Sequence, residues 1–415
     1  MAKSQPIALI LAAGESSRFE PLANRQNHKA MLTLLGRPIL DYVLGDLAKA
    51  GFRKVVIVRN ADETAMVEYF SHKDHYGLDI NFEVQTDLAA GMAGAVLDAK
   101  KHLTAPFLIL TPSHIEVSEA WPAILKAKAG AVSAVLCGQV TKEPERCGIF
   151  KLEGDRVIDI IEKPQPGQAP SDIRVVGLYF LEPDFLEVLS QEPVGQYSFE
   201  AALAKYVRQQ ATRLIYIEGP TYSLKNTWDL FGLNDALLAR QQARVSQLAQ
   251  VSPTAVIQGM VIVEDGAVIH EYAVIKGPCY IGKGAVVGDH ALIRGPTSLA
   301  AGVTIGPFSE VARSIVMEQS SVHSGYLGDS IIGRQCHIGA GFITANRRLD
   351  RGPVKVTVKG ERVSTGRPGL GVIMGHRVMA GIRVGVMPGV TIGSDVKIGP
   401  GAMVMKDVSK GEVLK

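Results

Sequence analysis

Ile281-Gly-Lys-Gly-Ala-Val-Val287-Gly-Asp-His-Ala-Leu-Ile293 carries the deciding pattern. Its aliphatic residues stand six apart, and the spacing runs on both ways. Ile257, Val263, Ile269 and Ile275 precede it; Leu299, Ile305, Val311 and Met317 follow. A period of six suits neither an α-helix nor the two-residue alternation of a strand. It marks a parallel β-helix, whose coils spend about six residues on each of three sides and turn one aliphatic residue inward per side. Gly follows the aliphatic position at Gly282, Gly306, Gly339, Gly393 and Gly399, where the backbone must round a corner. The register breaks at His323, where the count calls for another aliphatic residue. It resumes at Ile332 and Ile338 and returns with Ile392, Ile398 and Val404. The stretch 347–371 leaves the pattern and includes Val363-Ser-Thr-Gly-Arg367. It reads either as a loop reaching a neighbouring subunit or as a mobile surface excursion.

Upstream the pattern differs. Ile7 to Ala13, Val55 to Val58 and Phe107 to Leu110 read as buried parallel strands, and Ile39, Tyr42, Val43 and Leu47 have helical spacing. This alternation predicts an open, mostly parallel, Rossmann-like α/β sheet. Ligands of such sheets sit beyond the carboxyl ends of the strands, here from Gly14 and from Thr111 onward. Leu230, Leu233, Leu237 and Leu238 predict a connecting helix over 230–250, stopped by Ser252-Pro253. The expected organisation is an α/β domain over 1–229, this helix, and a β-helix over 251–415.

The 415 residues are 47% hydrophobic with a formal net charge of +3, enough for a sizeable core and no pull toward nucleic acid or an anionic membrane. Cys137, Cys147, Cys279 and Cys336 lack metal-site spacing, as expected of thiols in a reducing compartment. No apolar run is long enough to span a bilayer, and Ile7 to Ala13 enters a polar loop unlike a signal peptide. The expectation is a soluble cytoplasmic protein.

Leu11-Ala-Ala-Gly14-Glu-Ser-Ser-Arg18, with Lys29 beyond, can cradle phosphates on backbone N–H groups and add positive charge, or form only a strand-to-helix turn. In a wider frame, Leu11 to Gly14, Arg18, Pro21, Lys29 and Gly36-Arg-Pro-Ile-Leu40 resemble the opening of the sugar-1-phosphate nucleotidylyltransferases. Gln85 and Gly91-Met-Ala-Gly-Ala95 resemble that family's base-recognition segment, Glu162-Lys163-Pro164 its sugar-binding motif, and Gly177-Leu-Tyr179 the strand after it. The resemblance implies attack of a sugar phosphate on the α-phosphorus of a nucleoside triphosphate, with release of pyrophosphate. Arg18 and Lys29 would stabilise the developing charge, and Lys163 would hold the sugar phosphate.

The chain departs from the family at the metal. Ser113 and Ser223 stand where Mg²⁺-binding carboxylates are expected, and Ser16-Ser17-Arg18 replaces the usual Gly-Thr-Arg. Asn234 fits a variant of the second ligand, and His114 or Glu116 could stand in for the first.

His323-Ser-Gly-Tyr-Leu-Gly-Asp-Ser330 and Ile338-Gly-Ala-Gly-Phe-Ile-Thr-Ala-Asn346 resemble the acetyltransferase half of the bifunctional N-acetylglucosamine-1-phosphate uridylyltransferase/glucosamine-1-phosphate N-acetyltransferase family. In that family the hexapeptide repeats form a left-handed β-helix. The resemblance covers both domains in order, nearly the whole chain. It implies acetyl-CoA as cosubstrate, a homotrimer, and His323 as general base toward the sugar amine. Tyr326 and Asn346 would hold the sugar and reacting groups, and Arg294 and Arg313 the sugar phosphate. Four readings follow: both activities; acetyl transfer alone, with a degenerate first domain; nucleotidylyl transfer with a structural β-helix; and a non-catalytic regulator. Ser113 and Ser223 favour the second, and His323, Tyr326 and Asn346 oppose the last two. Base choice rests on the loop from Gln85 to Ala95, and the choice among amino sugars rests on hydroxyl geometry.

Overall fold

The computed structural model describes residues 5–71 and 75–415. The chain divides into two compact units. One runs up to Glu15 and includes Arg25–Met31 and Ile39–Ser223; the other comprises Ser16–Asn24, Leu32–Pro38 and Leu224–Lys415.

In the first unit, Ile7–Ala12 and Phe107–Leu110 are continuous apolar runs with no polar face, because both faces of the sheet are covered. Ile7–Ala12 pairs in parallel with Lys54–Arg59 on one side and Phe107–Leu110 on the other. The chain thus leaves this strand toward opposite sides, and Gly14 and Thr111 emerge side by side at the carboxyl edge. The full nine-strand order is Asp79–Val84, Lys54–Arg59, Ile7–Ala12, Phe107–Leu110, Ile173–Leu181, Ala134–Val140, Thr212–Tyr216, Arg156–Glu162, Gly148–Glu153. The sheet is mixed but mostly parallel: all its strands except Ile173–Leu181 and Arg156–Glu162 run in one direction. Ile173–Leu181 runs antiparallel to both neighbours, and Gly148–Glu153 with Arg156–Glu162 forms a hairpin. The tight turn through Gly154, at φ +58, makes that reversal without a crossover helix.

The second unit stacks three parallel sheets of eight, nine and eight strands. Ile257, Ile275, Ile293 and Val311 pair in one ladder at intervals of eighteen residues, three hexads per coil. Val263, Ile281 and Leu299 form the ladder of the next side at the same interval. From Val263 to Val311 every hexad position is buried.

The slip near His323 has a simple cause. After Val311 the corner is turned one residue early, and Val316, not Met317, pairs with Leu299 and Ile332. The shift carries Val322 into the inward ladder between Ile305 and Ile338. His323 therefore does not occupy the aliphatic position that the hexad count assigns it. It falls in the next column, filled on the neighbouring coils by Gly288, Gly306, Gly339, Gly381 and Gly399.

Two further expectations change. The connecting helix covers Asp229–Ala239 only, and by Arg244–Val245 the chain is already paired with the first coil at Ile262 and Val263. The 347–371 excursion is an anchored hairpin, Lys355–Val358 against Glu361–Ser364, turned by Lys359 and Gly360 at positive φ. Val354, Val356 and Leu370 bury its base. The four cysteines are unpaired, and no helix among the described residues is long and apolar enough to cross a membrane.

Candidate active sites

At the carboxyl edge of the α/β sheet, Gly14 is exposed, with nothing within 4 Å of where a Cβ would sit. Lys29 follows His28, which is buried; its Nδ1 accepts from the Ala30 N–H at 3.2 Å, and its backbone N–H donates to Glu63 Oε2 at 2.5 Å. Burial, reinforced by the Lys29 charge, pushes the His28 imidazole down to about 3, so it stays neutral and fixes the backbone beneath Lys29. The His28–Glu63 contact was not legible in the sequence, since 35 residues separate the partners. Arg18 is exposed and belongs to the second unit.

Gln85 is buried at the end of Asp79–Val84. Its Nε2 donates to the carbonyls of Asp87 (2.9 Å) and Gly91 (2.8 Å), tying down both ends of the intervening turn. Gly91 sits at φ +56, and a Cβ there would meet the Gln196 carbonyl oxygen at 3.0 Å.

Glu162 and Lys163 are exposed at the end of the Arg156–Glu162 strand, with the Lys163 N–H donating to the Cys147 carbonyl at 3.0 Å. Glu162 closes over Gly148, whose missing side chain would lie 2.6 Å from Glu162 Oε2. Gly177 sits in the irregularity between Val175 and Tyr179, 3.5 Å from His114 Nε2 when measured from its ideal Cβ position. Burial raises the Glu200 carboxyl, outweighing a backbone hydrogen bond, and nearby Glu162 raises it further. Burial, with Glu200 and Glu162 close by, likewise holds the Tyr179 phenol well above its usual range.

The donors expected to hold Mg²⁺ do not fit it. Ser113 is buried, and its hydroxyl donates to the Tyr222 carbonyl at 3.0 Å. Ser223 is exposed and neutral. Asn234, expected as a ligand, is fully buried in the second unit, where its Oδ1 accepts from Ser298 Oγ at 2.6 Å. That bond ties its helix, Asp229–Ala239, to the strand Thr297–Leu299 of the β-helix. His114 and Glu116 bond each other, Nδ1 to Oε1 at 2.7 Å, both buried.

In the β-helix, a groove of about 730 Å³ runs across the outer face of one sheet. Its floor is the glycine column. A Cβ at Gly306 would stand 2.1 Å from the His323 carbonyl oxygen, so glycine at 306 is what allows these two coils their close spacing. His323 is the exposed exception between Gly306 and Gly339, its backbone pinned by donation to the Ile338 carbonyl at 2.9 Å. The imidazole thus stands over a floor with no side chain on the coil to either side.

The structure joins Tyr326, Asn346 and Arg313 through a residue that the sequence reading passed over. Asp329 is buried, and both its oxygens accept from Arg313, Nε and Nη2 at 2.8 Å each. Asn346 Nδ2 donates to Asp329 Oδ2 at 2.5 Å and to the Tyr326 hydroxyl at 3.3 Å. Hydrogen bonding to Asp329, against a smaller burial cost, holds the Arg313 guanidinium above its ordinary value. Arg294 pairs with Glu310 of the next coil, through Nε at 2.8 Å and through Nη2. Neither arginine is a free solvated charge. A signal was available: each acid stands sixteen residues after its arginine, close to one coil.

Comparison with known proteins covers nearly the whole chain. Residues 7–243 match the nucleotidyl transferase family, 275–379 the GMPPB C-terminal domain, and 371–406 the bacterial transferase hexapeptide family of six repeats. The bifunctional protein GlmU of Methanococcus maripaludis (strain C7) is 37% identical over 97% of this chain and 95% of its own length. The bifunctional sugar-1-phosphate nucleotidylyltransferase/acetyltransferase of Sulfurisphaera tokodaii is 33% identical over 98% of this chain and 99% of its own. An apo-UDP-glucose pyrophosphorylase crystal structure shares the α/β fold, with a TM-score of 0.50 at 18% identity over 57% of this chain and 99% of that one. A transferase of two domains, nucleotidyl transferase followed by hexapeptide-repeat β-helix, this chain belongs to the GlmU-type bifunctional sugar-1-phosphate nucleotidylyltransferase/acetyltransferase family.

Proposed function

We propose that the β-helix transfers the acetyl group of acetyl-CoA to the amine of an amino-sugar 1-phosphate of the glucosamine type, and that the α/β unit joins the product to a uridylyl group. The observation that carries the first half is His323, standing alone on the glycine floor of the groove. The amine attacks the thioester carbonyl, His323 takes the amine proton, and coenzyme A leaves. The Tyr326–Asn346–Asp329–Arg313 network supports binding of the sugar phosphate: Asp329 orients the guanidinium and Asn346, leaving the outer donors of Arg313 for phosphate oxygens. Arg294, braced by Glu310, supplies the second cation. A homotrimer sharing the groove between subunits fits the flat sides of the coils.

In the α/β unit, Gln85 and the turn it ties down support recognition of the base, Glu162 and Lys163 the sugar phosphate, and Gly14 and Lys29 the triphosphate. Lys29, with Arg18 as the family resemblance implies, would offset charge building on the α-phosphoryl group and pyrophosphate. The pairing of Ser113 with a carbonyl favours one narrower reading, in which acetyl transfer is the dominant activity and nucleotidylyl transfer is slow.

Two assays of the purified protein test this. Coenzyme A release with glucosamine 1-phosphate should be robust and should fall at least about 100-fold in His323→Ala; unchanged release would overturn the assignment. Pyrophosphate release from a panel of nucleoside triphosphates with N-acetylglucosamine 1-phosphate should be greatest with UTP; release with another base would correct the uridylyl assignment.

A further inference from the structure

The groove that holds His323 holds a second imidazole. His337 is exposed one coil on, in the column Thr304, Ser321, His337, Met379, Lys397 that flanks the glycine floor. His323 and His337 lie on adjacent coils and two residues apart along the strand direction. Strand spacing and rise set their Cα atoms roughly 8 Å apart. Both side chains therefore reach one small molecule lying in the groove.

His337 is also oriented. Its Nδ1 lies 3.0 Å from Ser321 Oγ, its partner in the ladder. With Ser321 accepting from Nδ1–H, Nε2 is left for the groove.

Acetyl transfer moves protons at two different atoms, off the amine and onto the sulfur, and His323 is assigned only the first. As the C–N bond forms, the amine proton goes to His323. As the C–S bond breaks, the electron pair leaves on sulfur, a thiolate whose conjugate thiol has an ordinary pKa of about 8.5. Near neutrality this leaving group gains by being protonated as it departs. Besides His323, the titratable groups lining the groove among the described residues are His337 and Lys397. A lysine ammonium, ordinarily near ~10.4, is a weaker acid than a thiol, whereas an imidazolium is a stronger one. Ser321 and Met379, the neighbours of His337 on the coils to either side, carry no charge.

We propose that His337, as the imidazolium, is the proton donor to the departing thiolate of acetyl transfer; this rests on the acetyl-transfer reading above. The two histidines work in opposite protonation states. His323 ends the step charged and His337 neutral, and exchange with solvent restores both.

The test uses the full chain, acetyl-CoA and glucosamine 1-phosphate, reading thiol release against pH. His337→Ala and His337→Gln should each lower kcat about 100-fold or more, leave KM for the sugar phosphate within about threefold, and abolish the alkaline limb of the kcat profile. Glutamine keeps a hydrogen-bond donor but carries no transferable proton, so it should fare no better than alanine. Thermal melts check that each variant folds. A kcat within about threefold of wild type in either His337 variant, or an alkaline limb that survives in both, overturns the proposal alone. Absence of thiol release from the wild type overturns the acetyl-transfer reading and this proposal with it.

Discussion

Gly306→Ala is the sharpest test of how the β-helix holds its histidine. The new methyl carbon would stand 2.1 Å from the His323 carbonyl oxygen, against 3.4 Å for the start of ordinary contact, so the two coils must part there by about 1.3 Å. One peptide back along the chain, the His323 N–H is committed to the next coil at the Ile338 carbonyl, so the residue cannot shift far without straining that ladder bond. Overpacking of this kind costs about 1–3 kcal/mol of stability. The effect on chemistry should be larger in proportion, because a displacement near ~1 Å at a reacting group costs about 100-fold in rate. Thiol release from acetyl-CoA is the assay, run beside a thermal melt. Gly399→Ala is the control: it lies in the same column, but its new methyl would meet the Leu414 carbonyl at 3.2 Å, a contact relieved by a few tenths of an ångström. Acetyl transfer by folded Gly306→Ala within about threefold of wild type would refute the claim that the glycine floor positions His323.

His28 makes the first unit acid-sensitive. Its imidazole sits at about 3 when folded and near 6.5 when unfolded, so between those values the unfolded chain binds the extra proton and stability falls as pH falls. At about pH 4.5 the two-unit gap below the unfolded value corresponds to about 3 kcal/mol, which urea melts of wild type and His28→Gln at about pH 7 and pH 4.5 should reveal as a steeper acid loss in wild type. Asp329→Asn leaves Arg313 without its counter-charge; because Arg313 is about a third exposed, the expected cost is about 1–3 kcal/mol, and KM for the sugar phosphate should rise at least about tenfold in initial-rate assays. Ser113→Asp sets a carboxylate against the Tyr222 carbonyl, so it should lower Tm in chelator; added Mn²⁺ should restore Tm in the variant and leave wild type unmoved.

What was legible in the sequence followed from periodicity, and what was not followed from single-residue slips and distant partners. The hexad count located the solenoid because burial of each inward aliphatic residue repeats without exception from Val263 to Val311. The same count misplaced His323 by one residue, since nothing local signals that a corner after Val311 is turned early. That single residue changes the physical account. A histidine in an aliphatic slot would need a partner in a dry core, whereas one in the glycine column faces solvent and substrate with no such cost. The Asn234 expectation failed for a related reason: a short motif near a helix says nothing about which unit the helix packs on. The arginine partners were recoverable in principle. In a solenoid, residues one coil apart in sequence are neighbours in space, so an arginine and an acid at that interval form a ladder ion pair. Arg313–Asp329 and Arg334–Glu318 do so at sixteen residues, and Arg377–Asp395 at eighteen. Arg294–Glu310, also sixteen apart, is a diagonal pair, because Arg294 stands opposite Ala312 across a full eighteen-residue coil. Where arginine and acid face each other directly, the interval reports the local coil length, and the two such pairs at sixteen flank His323 in the sequence. The shortened coils are thus written into the charge pattern where the aliphatic pattern loses count, and they are the coils that bring His323, Tyr326 and Arg313 onto neighbouring turns.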